Sequence, residues 1–232
     1  MGIKTPLERY QEKPFTGSSH VWAIDWLSQL PRDTTLLDIG AGSGIMGRKG
    51  EEFGFPRRVA IEIDEGAQRH IAPFYSKVVS ELEELSGERF DVVLLLDVLE
   101  HLPDPFSFLK SVENFVKPQG TILVSVPNIA HWSVRFPLLF GWFEYTDRGI
   151  LDRTHLQFFT RRRFRELLKN CSQCSLVSES SSIEPIEFLL PTRIWENSLF
   201  QALSRVRVAL AECLPGLLAY QHLGVLRKQE KD

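Results

Sequence analysis

The chain has 232 residues, of which 43% are apolar and 25% charged, as expected for a single globular domain with a sizeable core. Its formal net charge of −3 gives no electrostatic reason to expect nucleic acid or an anionic membrane as a partner. The polar start of the chain, its short apolar runs and its odd number of cysteines favour a cytoplasmic protein with no secretory signal or transmembrane segment.

Apolar runs and helical stretches alternate from residue 18 to residue 128. A helix is predicted over residues 18–30, where a serine cap precedes apolar residues at helical spacing. Strands are predicted at 35–39, 58–63, 74–79, 90–96 and 120–126. Helices are predicted between them at 43–54, 65–71 and 104–116. This alternation predicts a doubly wound α/β sheet.

The pattern changes after residue 128. Residues 128–155 have no clean period and many aromatic side chains, which indicates an insertion at the carboxyl edge of the sheet. The elements predicted beyond it are a helix at 160–171, a strand at 175–183, an amphipathic helix at 195–210 and a final strand at 216–228. We expect the amphipathic helix to cover the sheet, with a dimer contact as the alternative. Cys171 and Cys174 have no second pair to complete a zinc site, so we expect free thiols.

The stretch LLDIGAGSG, residues 36–44, places three alternating glycines after a predicted strand. In open α/β sheets, ligands bind at the carboxyl ends of the strands, where glycines let a ligand approach the backbone closely. A dinucleotide-binding loop would need a glycine where this chain has Ile45, and a P-loop would need a Gly-Lys-Ser/Thr sequence that is missing here. The spacing therefore disfavours a phosphate-binding loop.

Two acids near this loop indicate a different ligand. Asp38, two residues before the first glycine, would repel a diphosphate and attract an ammonium group. Glu62 ends the second predicted strand, 20 residues after Gly42, where an acid accepts hydrogen bonds from ribose hydroxyls. Together they predict a nucleoside joined to an amino acid, without phosphate.

Four stretches in order resemble the motifs of class I S-adenosylmethionine-dependent methyltransferases, in the branch of the ubiquinone-biosynthesis O-methyltransferases. They are LLDIGAGSG, AIEID (60–64), FDVVLLLDVLEHLPDP (90–105) and PQGTILVSVPN (118–128). PNIAHW and THLQFF are similar to the methionine-biosynthesis MetW-like proteins. The resemblance spans roughly residues 30–170.

This resemblance implies a fold and a domain organisation. The fold would be a doubly wound, seven-stranded, mostly parallel Rossmann-like sheet with an antiparallel final strand. Residues 217–228 would form that strand, with 175–183 as its edge partner. The whole chain, 1–232, would be one methyltransferase domain with an N-terminal cap helix region at 1–30 and a substrate-lid insertion at 128–156.

The resemblance also implies S-adenosyl-L-methionine as the cofactor. Asp38, Gly40, Ala41 and Gly42 occupy the positions that line the methionine part of the cofactor in the family.

The remaining cofactor positions come from later motifs. Glu62 would hold the ribose and Ile63 would pack on the adenine. Glu81 lies where the family often has an acid near the adenine amino group, although Ser-Glu replaces the commoner Gly-Asp here. Leu96 and Asp97 would lie beside the sulfonium.

Methyl transfer to a hydroxyl needs an aligned nucleophile and a group that removes its proton. His101 and His155 are the candidate catalytic bases, and His131 also qualifies by position. Asp97, Glu100 and His101 would share one helical face and, with His155, could hold a divalent ion as in some relatives. We prefer a site without metal, in which Glu100 and His101 shape the pocket wall.

Two further stretches are candidates for recognition. The aromatic residues of the insertion would form a lid and acceptor pocket, with core packing or a membrane-facing patch as alternatives; they are Trp132, Phe136, Phe140, Trp142, Phe143 and Tyr145. The run Arg161–Arg163 with Arg165 could bind phosphate, but we expect a solvated helix face.

The main hypothesis is therefore a cytoplasmic S-adenosylmethionine-dependent methyltransferase acting on a small-molecule acceptor, with a hydroxyl oxygen preferred. The alternative is a non-catalytic or accessory protein with the same fold, such as a MetW-like partner subunit. An NAD-dependent oxidoreductase is disfavoured by Ile45 and Asp38. We expect no nucleic-acid partner and consider a homodimer possible.

Overall fold

The computed structural model describes residues 14–230 of the chain, so the first part of the expected cap region, residues 1–13, lies outside it. Seven strands form one sheet in the order β3-β2-β1-β4-β5-β7-β6. They are β1 (Thr35–Ile39), β2 (Arg57–Ile61), β3 (Lys77–Val79), β4 (Phe90–Leu96), β5 (Val116–Pro127), β6 (Cys174–Ser182) and β7 (Gln221–Lys228). The first five are parallel, and β7 runs antiparallel to both β5 and β6. The predicted fold, with its antiparallel final strand, is confirmed.

Helices lie on both faces of this sheet. They are α1 (Ser19–Leu27), α2 (Ile45–Glu52), α3 (Glu65–Ile71), α4 (Pro105–Val112), α5 (Trp132–Leu139), α6 (Arg161–Lys169), α7 (Thr192–Trp195), α8 (Ser198–Cys213) and α9 (Pro215–Leu218). Side-chain caps begin several of them: Ser18 accepts from the Val21 N–H and Thr160 from the Arg163 N–H. No helix within residues 14–230 has the length and apolarity needed to cross a bilayer.

The core has two layers, because successive side chains of a strand point to opposite faces. In β4, Val93 and Leu95 pack with apolar residues of α4 and α6, whereas Val92 and Leu94 pack with those of α1 and α2. The central strands are buried on both faces, which explains why they appear as continuous apolar runs in the sequence.

Two predicted strands are shorter than expected. Residues 74–79 yield only Lys77–Val79, because a 3₁₀ turn containing Pro73 occupies Ala72–Phe74. Residues 216–228 yield Gln221–Lys228, because Pro215 begins the short helix α9.

The amphipathic helix contacts the edge strand β6 of the sheet, as Ser180 donates to Glu212 at 3.1 Å, but not through its apolar seam. In α8 the buried residues are Ser204 and Ala211, and the apolar residues of its predicted seam are exposed. Polar contacts also attach the helix to the rest of the chain: Arg207 donates to the Glu187 carboxylate at 3.1 Å.

Candidate functional site

The loop between β1 and α2 requires glycine. Gly40, Gly42 and Gly44 all have positive φ, at 72°, 54° and 73°, a backbone region that L side chains rarely adopt. A Cβ on Gly40 would also lie 2.7 Å from a methyl carbon of Val98. Ala41 lies within the same loop and is half-buried. The loop therefore exposes backbone at the carboxyl end of β1, where a ligand can approach it.

Asp38 lies behind this loop and is almost fully buried, at 4% exposure. The Tyr75 hydroxyl donates a hydrogen bond to its Oδ2 at 2.5 Å, and the Gly47 N–H donates to the Tyr75 oxygen at 2.9 Å. Burial raises the pKa of Asp38 to about 7; the Tyr75 hydrogen bond opposes this shift, and the nearby charge of Glu62 adds to it. The charge of Glu62 thus disfavours the ionised form of Asp38, which favours a cationic ligand.

Tyr75 is a site residue that was not predicted from the sequence. The sequence does contain one indication of this contact. Gly47 lies inside helix α2, where glycine is unfavourable unless another group must approach the backbone closely. A Cβ there would lie 2.3 Å from the Tyr75 ring. Burial and the charge of Asp38 raise the pKa of Tyr75 well above its usual value, so Tyr75 stays protonated as the donor.

Glu62 fastens the glycine loop to the end of β2. Its carboxylate accepts from the Gly42 N–H at 2.9 Å and from the Asp64 N–H at 3.0 Å. The next side chain, Ile63, is 82% exposed and apolar. Glu81 is exposed, and its side chain forms a capping box with Glu84 at the 3₁₀ turn that follows.

Asp97 follows β4 directly and has a φ of 56°, unusual for a residue other than glycine. Its carboxylate accepts from the Ser125 hydroxyl at 2.6 Å and from Gln221 Nε2 at 2.6 Å to each oxygen. The Ser182 hydroxyl in turn donates to the side-chain oxygen Oε1 of Gln221 at 2.8 Å. Leu96, the last residue of β4, is half-buried beside Asp97. Ser125 and Gln221 were not found from the sequence, because they come from distant strands.

The two predicted catalytic histidines lie together next to Asp97. The His101 and His155 rings meet edge to face with centroids 4.8 Å apart. His155 Nδ1 lies 3.0 Å from the Ile150 carbonyl oxygen. Because a carbonyl only accepts, the proton is on Nδ1, and Nε2 keeps its lone pair. Burial and His101 lower the pKa of His155, while the hydrogen bond to Ile150 and the charges of Asp152 and Asp97 partly offset this.

Three of the four candidate metal ligands converge. Glu100, His101 and His155 each offer a ligand atom, and these atoms lie within 4.8 Å of one another. Asp97 is not among them, because its carboxylate faces Ser125 and Gln221. The cluster has the mixed nitrogen and oxygen donors that several divalent metals accept.

His131 does not have the environment of a base. It is fully buried, and its Nδ1 accepts from the Ser133 N–H as the N-cap of α5. Burial lowers the pKa of His131 to about 4, so it is neutral. His131 contributes to the start of α5 rather than to proton removal.

The aromatic side chains of the predicted lid are largely exposed, which argues against core packing. Edge-to-face contacts run from Phe143 to Phe158 at 6.2 Å, and from Phe158 to His155 at 6.4 Å. The insertion therefore extends from the histidine pair to the surface.

The arginine run is only partly a solvated helix face, because Arg163 is half-buried and donates to the Gln157 side chain. Arg161 and Arg165 each pair with Glu179 at 2.7 Å, and Arg162 pairs with Glu166 at 3.0 Å. The cysteines are free thiols, as predicted.

Known proteins resemble this chain over most of its length. A family model described as a methyltransferase domain matches residues 20–171. The ubiquinone biosynthesis O-methyltransferase of Cereibacter sphaeroides is 36% identical over 101 residues, covering 40% of this chain and 41% of that protein. The enzyme of the same name from Bartonella tribocorum is 31% identical over 140 residues, 56% of each. The chain thus spans about half the length of the curated relatives it matches.

Solved structures share the fold. A SAM-dependent methyltransferase of Archaeoglobus fulgidus superposes with a TM-score of 0.57 at 20% identity, over 90% of each chain. The magnesium protoporphyrin IX methyltransferase of Synechocystis, solved with bound SAH, gives 0.59 at 12% identity over 90% of this chain and 81% of that one.

Proposed function

The chain belongs to the methyltransferase domain family, and from this premise we propose that it is an S-adenosylmethionine-dependent enzyme that methylates a small molecule on a hydroxyl oxygen. The curated relatives are named as enzymes of this type, which favours catalysis over the accessory-subunit alternative. The preference for a hydroxyl acceptor rests on the names of those relatives and on the pair His101 and His155 of this chain.

The observation that carries the proposal is the pair of carboxyl groups at the glycine loop. The burial of Asp38 and the charge of Glu62 hold the pKa of Asp38 at about 7. A ligand with an ammonium group would relieve both effects, whereas the diphosphate of NAD would worsen them. S-adenosylmethionine carries such a group and a sulfonium charge, and its ribose suits Glu62.

The cofactor, when bound, would supply an electrophilic methyl group. The predicted cofactor residues would contact different parts of the cofactor. Asp38, Gly40, Ala41 and Gly42 would hold the methionine part. The exposed side chain of Ile63 offers an apolar surface for the adenine.

Three other acids and a leucine complete that set. Glu62 would bind the ribose hydroxyls, and Glu81, which follows β3, would lie near the adenine. Leu96 and Asp97, at the end of β4, would position the reacting end.

His155 is the candidate general base. Its Nε2 keeps a lone pair because Nδ1 donates to Ile150, and its lowered pKa keeps the ring neutral and ready to accept a proton. It would take the proton from the acceptor hydroxyl as the oxygen bonds to the methyl carbon and the carbon–sulfur bond breaks, with its electron pair left on the sulfur of the demethylated product. His101 lies at the ring edge and would position His155, while the aromatic insertion would exclude water.

Calorimetry tests the cofactor assignment first. We expect binding of S-adenosylmethionine and of its demethylated product, and no binding of NAD. Failure to bind either sulfur nucleoside would refute the proposal.

Mass spectrometry then tests the acceptor class. Phenols, catechols and matched anilines are incubated with the enzyme and S-adenosylmethionine, and products are screened for one added methyl group. We expect methylation of hydroxyl compounds; methylation of anilines alone would refute the preference for oxygen.

A further inference from the structure

Two thiols lie side by side where the chain turns from helix α6 into strand β6. Cys171 follows the helix, Ser172 and Gln173 form the turn, and Cys174 begins the strand. The ends of a four-residue turn come within about 7 Å of each other, which is close to the Cα separation that a disulfide requires. The two thiols also hydrogen-bond each other. The pair is therefore placed so that a sulfur–sulfur bond can form.

The two sulfurs differ in how easily a molecule from solvent can reach them. Cys171 is 3% exposed and belongs to the apolar cluster that includes Leu167 and Leu168. Cys174 is only partly buried and lies on β6, the edge strand of the sheet. An incoming molecule therefore meets Cys174 first, and Cys171 is reached only from within the protein.

Two buried charged residues, Glu113 and Lys228, lie beside the pair. The Glu113 carboxylate accepts from the Gln173 N–H at 3.2 Å and hydrogen-bonds the Cys171 thiol. Lys228 lies opposite Cys174 in the register of β6 and β7, and its Nζ donates to the Glu113 carbonyl at 2.6 Å.

These neighbours make the two thiols unequal in acidity. The hydrogen bond from Cys171 lowers the pKa of Cys174; burial and the Glu113 carboxylate oppose this shift, and the Lys228 ammonium adds to it. The same hydrogen bond and burial raise the pKa of Cys171. Because the thiolate is the reactive form of cysteine, Cys174 is the nucleophile of the pair.

A metal site does not account for this pair. Within residues 14–230, one set of three side chains converges closely enough to hold a metal, and that set, Glu100, His101 and His155, does not include the thiols. Structural zinc takes four ligands, and the Lys228 ammonium near Cys174 would repel a metal cation. The chemistry that two adjacent thiols of unequal acidity support is thiol–disulfide exchange.

We propose that Cys171 and Cys174 form a thiol–disulfide exchange site that accepts small aliphatic disulfides of the glutathione type. The Cys174 thiolate attacks one sulfur of the small disulfide, and the other sulfur leaves as a thiolate. Cys171 then passes its proton to the Glu113 carboxylate and attacks the Cys174 sulfur, which releases the second small thiolate. The protein dithiol loses two electrons and becomes a disulfide. Its two protons pass, by way of Glu113 and solvent, to the two small thiols.

Peptide mapping of the full chain tests this. The native protein is incubated with oxidised glutathione, quenched with N-ethylmaleimide in urea and digested with trypsin. Both cysteines lie in the tryptic peptide 170–193, and the exposed Cys213 lies in another, 208–227. We expect peptide 170–193 to resist alkylation and to be lighter than the dithiol by two hydrogen atoms, and dithiothreitol should reverse both changes. A mixed disulfide with glutathione at Cys213 is the internal control for the reaction.

Two serine variants separate the roles of the thiols. In Cys171→Ser the mixed disulfide at Cys174 has no second thiol to resolve it and should accumulate. In Cys174→Ser the buried Cys171 should react about tenfold or more slowly than Cys174 does in Cys171→Ser. Unfolding both variants in urea should remove this difference, because it depends on the fold. Circular dichroism melts check that both variants are folded.

Three results would overturn the proposal. One is a wild-type peptide 170–193 that stays fully alkylated while Cys213 carries glutathione. Another is a Cys171 thiol that reacts as fast as Cys174 in the folded variants. The third is a zinc ion in the purified wild type that metal analysis no longer finds in Cys171→Ser and Cys174→Ser. If a variant does not fold, the wild-type peptide map still decides.

Discussion

Replacing Asp38 by asparagine removes a buried charge while keeping an oxygen that the Tyr75 hydroxyl can bind. In the wild type, burial raises the pKa of this carboxyl from 3.8 to about 7. The folded protein therefore holds a proton that the unfolded chain releases between these two values, and stability falls as the pH rises through this window. Because each unit is worth about 1.4 kcal/mol, the full effect is about 4 kcal/mol.

The part of this pH dependence that unfolding experiments can measure lies near neutral pH. Between pH 6 and pH 8 the linkage lowers the free energy of unfolding of the wild type by about 1.4 kcal/mol, and Asp38→Asn should lack this loss. Urea unfolding of the cofactor-free proteins at pH 6, 7 and 8 measures the difference. An equal pH dependence in the two proteins would show that Asp38 does not titrate near neutrality.

The same carboxyl should make cofactor binding depend on pH. An ammonium group binds the ionised form, so the affinity of the wild type for S-adenosylmethionine should fall about tenfold between pH 8 and pH 6. Asp38→Asn should bind weakly at both values. Adenosine, which has no amino-acid part, is the control ligand and should show no such dependence. Wild-type affinity in Asp38→Asn would refute the ammonium role.

Three further predictions concern the rest of the site. His155→Gln should lower kcat about 10²–10⁴-fold while the calorimetric affinity for the cofactor is unchanged; a fall in affinity alone would contradict a role as base. EDTA treatment followed by metal analysis should leave turnover unchanged, since His155 can accept the proton; loss of activity that Mg²⁺ restores would instead make Glu100, His101 and His155 metal ligands. Gln221→Leu removes the donor that bridges the Asp97 oxygens and should lower the free energy of unfolding by about 1–3 kcal/mol, measured in urea, with Gln229→Leu at an exposed position as control.

The sheet could be predicted because its strands are buried on both faces. Residues 90–96 form a continuous apolar run and match β4 at both ends. The packing of α8 could not be predicted, since an apolar seam looks the same whether it covers a sheet or faces solvent. Which face of α8 is buried depends on the contact between Arg207 and Glu187, and these two residues meet only in the folded chain.

Only part of the candidate site could be predicted from the sequence. Gly40, Gly42 and Glu62 could be found because their roles depend on local spacing after a strand. Tyr75 and Gln221 could not, because each reaches its partner from a distant part of the chain: 37 residues separate Tyr75 from Asp38, and 124 separate Gln221 from Asp97.

The two aspartates assigned to the cofactor differ in what stabilises them, and so they should differ in function. Asp38 has a hydroxyl donor and a neighbouring carboxylate, and its raised pKa leaves it in need of a cation. Asp97 instead receives donors from Ser125 and Gln221, which hold it at a positive φ that would otherwise cost about 1–3 kcal/mol. Asp38 would therefore act through charge and Asp97 through position. Substitution of Gln221 should then weaken cofactor binding equally at pH 6 and pH 8, whereas substitution of Asp38 should abolish the pH dependence itself.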